Sequence, residues 1–404
     1  MATSVTSSRG GSMEAHAQPF EVYFQPGKTP LFALKDAGGE VVECVHLYLA
    51  HLTACDKSPA TVKAYAYALV DWFRFLHRQK TEWSAALPSH VREYVNDLRS
   101  RTNPYRLHGA DRPPAGSVNP VTGKAKLAAR YQPTTINHRL SVLASFYAFL
   151  QDEHLFVQAN PARPLRRTRT FLFRGVHPYP LPSRAPFRQK VPALLPRALS
   201  DDQVRAVIEQ LTCHRDRAMV HLLLSAGLRA GELLGMTPGD VDWGSQTVRV
   251  ITKGSRSPEW VAASAESFTY LRLYLAGRAL STFDMLWQTR RGPYRPLNYS
   301  ALRGVLNRVN DRLGTNWVLH DFRHTCGIRL ASDPTMALVH VQKHLRHRWI
   351  TTTQTYLRVQ PQEAIRQVLR HFNEPRKETT PLTTACDYDT DDLAAFFKTD
   401  EGDL

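Results

Sequence analysis

His320–Tyr356 reads HDFRHTCGIRLASDPTMALVHVQKHLRHRWITTTQTY and gathers more chemically versatile side chains than any other stretch of the chain. His320 and Arg323 lie three residues apart, so a helix would carry both on one face. His347 follows, and Tyr356 stands nine residues beyond it. Histidines and arginines converging on a tyrosine make a poor hydrophobic core. They make good surroundings for a phosphodiester, whose cleavage needs a nucleophile, positive charge on the nonbridging oxygens and a proton for the leaving oxygen. Arginine forks match phosphate oxygens two at a time and stay charged at any working pH. No cluster of acidic residues has the look of a magnesium site, so the charge falls to arginines, and neither a metal nor a cofactor is expected.

Outward from that stretch, two upstream residues supply what it lacks. Arg229 sits just past Gly227, where a break between two helical patterns can turn a side chain into a cleft. Lys253 lies in a Lys-Gly turn between two alternating runs, the first with Val248 and Val250 between Thr247, Arg249 and Ile251. Each residue has a plainer reading when taken alone. A helical arginine usually faces solvent, a turn lysine is usually solvated, and a tyrosine after ITTTQT can be an ordinary buried residue with one hydrogen bond. His340, His344 and His347 are also spaced to hold zinc from one helical face. The residue after the first of them is Val341, not glutamate, and no nearby carboxylate or cysteine completes such a site.

Charge points the same way. The 404 residues carry a formal net charge of +16 at a sequence pI of about 9.8, spread without a lysine run, which favours a polyanionic partner, most often nucleic acid. Cys44, Cys55, Cys213, Cys326 and Cys386 are odd in number and widely spaced, which argues against a disulfide framework and fits a reducing compartment. The first residues have no apolar signal region and no run approaches a membrane span, so a cytoplasmic protein without membrane contact is expected.

The length suits two domains. Residues 1–19 read as a disordered leader and 20–158 as a helical DNA-binding domain. The latter opens with short strands or turns, followed by helices from Pro59, over about 89–99 and from Pro133. Within it, 101–130 lacks apolar periodicity and reads either as a solvated loop or as a basic segment lying along DNA. Residues 159–196 are a Pro/Arg-rich linker, semi-rigid and extended. Residues 197–373 form the catalytic domain, with helices expected near 265–280, 299–313, 320–331 and 336–345. Residues 374–404 form an acidic tail. The expected fold is mostly α with a small antiparallel β-sheet.

With SAGLRAGELLGM around Arg229, VRVITKGSR around Lys253, HDFRHT from His320 and HLRHRWITTTQTY ending at Tyr356 in order, the second half resembles the tyrosine recombinases, the phage-integrase type of site-specific recombinase. The resemblance implies a two-domain architecture of a helical core-binding domain and a mixed α/β catalytic domain. It makes Arg229 and Arg323 clamps on the scissile phosphate, Lys253 the acid for the leaving 5′-hydroxyl and His320 an acid/base group near the nucleophile. His347 becomes a hydrogen-bond donor to the phosphate and Tyr356 the nucleophile of a 3′-phosphotyrosyl link. It implies double-stranded DNA with a specific site as partner, and a homo-oligomer that is dimeric on one site and tetrameric in the synapse, with or without an accessory DNA-bending protein. The acidic tail would either dock on a neighbouring protomer or be a disordered acidic tail. The extra segments favour an integrase or transposase of a mobile element. Two other readings are a DNA-binding protein of this fold that no longer cuts, and a relaxase like the type IB topoisomerases. One departure matters here. The family has Leu-Gly-His where this chain has Leu345-Arg346-His347, which predicts either a changed helix end or an added DNA contact.

Overall fold

The computed structural model describes residues 19–103, 114–163, 186–192, 196–252, 257–357 and 369. The chain divides into two compact units, residues 1–194 and 195–404.

The first unit opens on an antiparallel hairpin, β1 (Phe20–Phe24) against β2 (Phe32–Asp36), in the register Phe20↔Asp36 to Phe24↔Phe32. Four helices follow: α1 (Glu43–Ala54), α2 (Pro59–Arg78), α3 (Pro88–Ser100) and α4 (Pro133–Asp152). The start of α2 is fixed by Pro59 and by the Ser58 hydroxyl, which accepts the Thr61 N–H at 3.3 Å. The core is aromatic, with Tyr48, Trp72, Phe75, Tyr94, Phe146 and Tyr147 fully buried. Among them lies one polar knot. Asp71 on α2 accepts hydrogen bonds from Tyr94 Oη at 2.7 Å, from Arg101 at 2.7 Å and from Arg139 on α4. Burial alone would raise its carboxyl, but Arg139 and Arg101 hold it below the usual carboxylate range.

The structure changes three expectations for this unit. Glu43–Ala54 is a helix that the sequence reading left unassigned, because ECVHLYLAHLTA shows no clean polar face. The described part of 101–130 is folded. Val118 bridges Ala125, and Asn119 Oδ1 accepts the N–H groups of Val121 and Thr122 at 2.9 Å each, closing a tight turn. Residues 186–192 are not a free connector either: the Asn137 side chain gives and takes a hydrogen bond with the Gln189 backbone, at 2.9 and 2.8 Å.

In the second unit, α5 (Asp201–Glu209) and α6 (His214–Ser225) lead to the short α7 (Ala230–Leu234). A three-stranded antiparallel sheet follows, in the order β3 (Val241–Asp242), β4 (Thr247–Ile251), β5 (Pro258–Ala262). Val248 and Val250 of β4 face inward, as their alternation predicts. Then come α8 (Ala265–Leu275), α9 (Tyr299–Leu313), α10 (Leu319–Ser332), α11 (Leu338–His344) and α12 (Ile350–Leu357). Helix α6, buried around most of its circumference, packs against both α8 and α10. α12 was not expected as a helix, since β-branched threonines favour it poorly. It forms with Thr353 and Tyr356 buried, one turn apart on the face it turns to α10 and α11. No helix among the described residues is long and apolar enough to cross a membrane.

Candidate active site

The site begins at a glycine. Helix α6 ends at Ser225, and Gly227 turns the chain with φ +56°. A Cβ there would come within 2.6 Å of Leu345 Cδ2 and 3.2 Å of Cys326 Sγ, so glycine is needed for space as well as for conformation. The turn delivers Arg229 to the N-cap of α7, where a capping box forms. Glu232 Oε2 accepts the Arg229 backbone N–H at 2.9 Å, and Glu232 Oε1 accepts Arg229 Nη1 at 2.5 Å. Arg229 Nη2 reaches the Arg346 carbonyl at 3.2 Å.

Arg323 enters from α10 with 1% of its surface exposed. Its guanidinium donates to the carbonyls of Gly227 and Leu345. Arg346 comes from the end of α11. Its Nη2 donates to Glu232 Oε2 at 2.9 Å and to the Gly227 carbonyl at 3.1 Å, and its Nη1 to the His344 carbonyl at 2.7 Å. Two guanidinium groups thus share one carboxylate, and Arg323 lies close enough to feel its charge. Burial would raise Glu232, but Arg346 and then Arg229 hold it below the usual range. Arg323 is pushed down to about 10 by burial and by the charges of Arg229 and Arg346. It stays charged at neutral pH, and the surplus positive charge suits an anion.

Tyr356 packs against α10 with 4% exposure. Gly327 makes room for it, since a Cβ at that position would lie 2.6 Å from the ring. The Tyr356 hydroxyl meets His324 Nδ1 at 3.3 Å, and its ring stacks on His347 at 6.0 Å between centroids. Burial raises the phenol, opposed by Arg323 and Arg229. His347 Nδ1 lies 2.9 Å from Thr353 Oγ1. Burial first, then the field of Arg323, Arg229 and Arg346, pushes this imidazole down to about 4, so it is neutral at working pH. As a group the site offers a phenol, the neutral imidazole of His347 stacked on it, the ring of His324 at its hydroxyl, and a fixed cationic wall.

Of the residues singled out in the sequence, Arg229, Arg323, His347 and Tyr356 come together. His320 is exposed, one helical turn before His324, with the two rings 4.3 Å apart. Lys253 lies outside the described residues. Three participants were missed or misread. Glu232 was legible as the third residue of a capping box after Arg229. His324 lies one turn after His320, and its neighbour Arg323 drew the attention. Arg346 neither changes the helix end nor reaches outward. It holds φ +54°, with its N–H bonded to the Lys343 carbonyl at 3.0 Å and the His347 N–H to the Gln342 carbonyl at 3.1 Å. Those two bonds make the Schellman ending that a glycine would give. Of the histidines whose spacing also suits zinc, His344 Nε2 turns to the Ser225 carbonyl at 3.0 Å and His347 to Thr353, so they serve separate partners.

Comparison with known proteins places the chain in one family. The profile of the phage integrase family matches residues 197–363, and that of the phage integrase N-terminal SAM-like domain matches 45–106. The chain belongs to the phage integrase family, the tyrosine recombinases. It is 25% identical over 353 residues to transposase A from transposon Tn554 of Staphylococcus aureus, covering 83% of this chain and 92% of that one. It is 27% identical over 322 residues to the tyrosine recombinase XerC of Myxococcus xanthus, covering 75% and 88%. Among solved structures, the XerH recombinase bound to a palindromic difH substrate superposes with a TM-score of 0.54 at 15% identity, covering 80% of this chain and 84% of that one. The Tn1549 transposon integrase in complex with a circular intermediate DNA gives 0.53 at 16%, covering 81% and 99%.

Proposed function

We propose that this recombinase cuts and rejoins double-stranded DNA at a specific site on behalf of a mobile element. The observation that carries the reading is the meeting of Arg229, Arg323 and Tyr356 in one buried, cationic site. In the reaction Tyr356 Oη attacks the scissile phosphorus, and the bond from phosphorus to the 5′-oxygen breaks. The leaving oxygen takes a proton from Lys253, and the phosphate remains on Tyr356 as a 3′-phosphotyrosyl ester. Arg229 and Arg323 hold the nonbridging oxygens and His347 donates a hydrogen bond to them, while the phenolic proton of Tyr356 leaves toward His324 at its hydroxyl, with His320 one turn before it as the acid/base group. An incoming 5′-hydroxyl reverses the step, so the bond energy is conserved and no nucleotide or cofactor is consumed. Transposase A of Tn554 and the Tn1549 integrase support the mobile-element assignment. The basic charge supports DNA as partner, and reduced cysteines suit the cytoplasm. Protomers would pair on one site and form a tetramer when two sites meet, with the acidic tail bridging neighbours and a DNA-bending protein assisting where the site requires it.

The test uses short duplexes of randomised sequence, nicked so that the cut end diffuses away. Wild-type protein should form an SDS-stable adduct with a selected sequence, and Tyr356→Phe should form none. Specific binding without an adduct would leave a binding protein only. Relaxation of any supercoiled plasmid without a selected sequence would indicate a relaxase.

A further inference from the structure

Arg346 is the odd member of the site. A non-glycine residue in left-handed backbone costs roughly 1–2 kcal/mol, yet the chain pays this at a helix end where glycine would be free of strain. Its guanidinium is almost wholly withdrawn from water, with 1% of the side chain exposed, so it makes no outward contact. Beside the His344 carbonyl, which takes its Nη1, its Nη2 partners belong to the machinery that holds the other two arginines. Glu232 also binds Arg229, the Gly227 carbonyl also binds Arg323, and the carbonyl of Arg346 itself accepts Arg229 Nη2.

We infer that Arg346 is a positioning residue for strand cleavage: it saturates Glu232 and, through its left-handed carbonyl, fixes the Arg229 guanidinium in place for the phosphate. The inference rests on the recombinase reading above. Without Arg346, the buried Glu232 carboxylate would have Arg229 as its one directly bonded cation and would draw that guanidinium toward itself. The groups facing Glu232 are Arg229 before α7, Arg323 on α10 and Arg346 after α11, and Glu259 on β5 acts on Arg346. The same geometry predicts a pH signature. Arg346 is the largest influence holding Glu232 ionised against burial. Its loss raises the Glu232 carboxyl, so the protonated, non-clamping form persists to higher pH.

The test measures single-turnover adduct formation against pH, at saturating nicked duplex, for wild type and for R346M, R346K and R346G. R346M removes the charge at similar length. It should slow cleavage by roughly 10- to 100-fold, the effect of a misplaced catalytic group, and move the acid limb of the profile to higher pH. DNA binding should stay close to wild type. R346K keeps the charge and should keep the wild-type acid limb while cleaving more slowly. R346G meets the turn without strain, so it serves if R346M fails to fold, and it should show the same shifted limb. Wild-type rate and profile in R346M would overturn the inference. So would a parallel loss of melting temperature, binding and cleavage in all three variants with the limb unmoved, since that marks a structural role alone. Absence of any adduct with the wild type would instead refute the recombinase reading, which separates the two failures.

Discussion

Gly327 sits beneath Tyr356, the proposed nucleophile, and leaves no room for even a methyl group. In Gly327→Ala the new Cβ would have to displace the Tyr356 ring, whose Cε2 and Cζ it would approach to 2.6 Å, and Leu345 Cδ1 lies at 3.0 Å on another side. Overpacking of this kind costs about 1–3 kcal/mol. Adduct formation should fall further than stability does, because a displaced phenol also loses its approach to His324. Thermal melting and adduct yield measured together check this, and a variant that melts and cleaves like wild type would disprove the packing argument. At this scale the sequence was half legible. Arg229, Arg323, His347 and Tyr356 each have a plainer reading singly, and were legible because they occur together, in order and spacing, within four motifs. Glu232 and His324 do not, since an acid in a first helical turn and a second histidine have common explanations. Arg346 was visible as an exception, but its direction depends on a backbone angle that no residue pattern encodes.

The helical unit depends on an ionic knot between elements. Asp71 on α2 joins Arg101, just past α3, to Arg139 on α4, and Tyr94 closes the group from α3. Asp71→Ala leaves Arg139, 14% exposed on its side chain, without its bonded carboxylate, while Arg101, 28% exposed, keeps Asp97 at 2.7 Å. Breaking a buried pair from one side costs about 3–5 kcal/mol, and the partial exposure of Arg101 places the expected loss near 3 kcal/mol. Denaturant unfolding of the full chain, followed by the fluorescence of buried Trp72, measures it. A change under about 1 kcal/mol, the worth of a surface pair, would show that the knot contributes little. Elements with a strong stripe or a cap, such as α2 and α9, were readable in advance. Helix α1 was obscured by its nearly uniform apolar character, and α12 by threonines whose helicity comes from tertiary packing and not from propensity.

For the molecule as a whole, the formal charge of +16 sets how it should meet DNA. Each phosphate contact releases counterions, so affinity falls steeply with salt. With six or more contacts, binding should weaken by roughly a thousandfold or more between about 50 and 200 mM salt. Tyr356→Phe is the form to use, because on the proposed chemistry it should bind without proceeding to cleavage, and fluorescence anisotropy gives the constants. A loss smaller than about tenfold would point to one or two contacts and against a broad basic interface. The division into two units, near residue 194, could be anticipated from the dense proline and arginine of the preceding stretch. The folded turn at Asn119 could not, because its order comes from side-chain-to-backbone hydrogen bonds and not from apolar periodicity.

The buried arginine after α11 also bears on how the gene can change. Glycine and arginine codons of the GGN and CGN sets differ by a single base, so position 346 can pass between the two in one mutation. Position 232 has no such freedom while arginine is present, because a neutral residue there would strand the Arg346 guanidinium away from water without a counterion. The order of substitution is therefore constrained. Removing the arginine leaves a carboxylate still paired with Arg229, whereas removing the glutamate first strands a buried guanidinium, at a cost of about 3–5 kcal/mol.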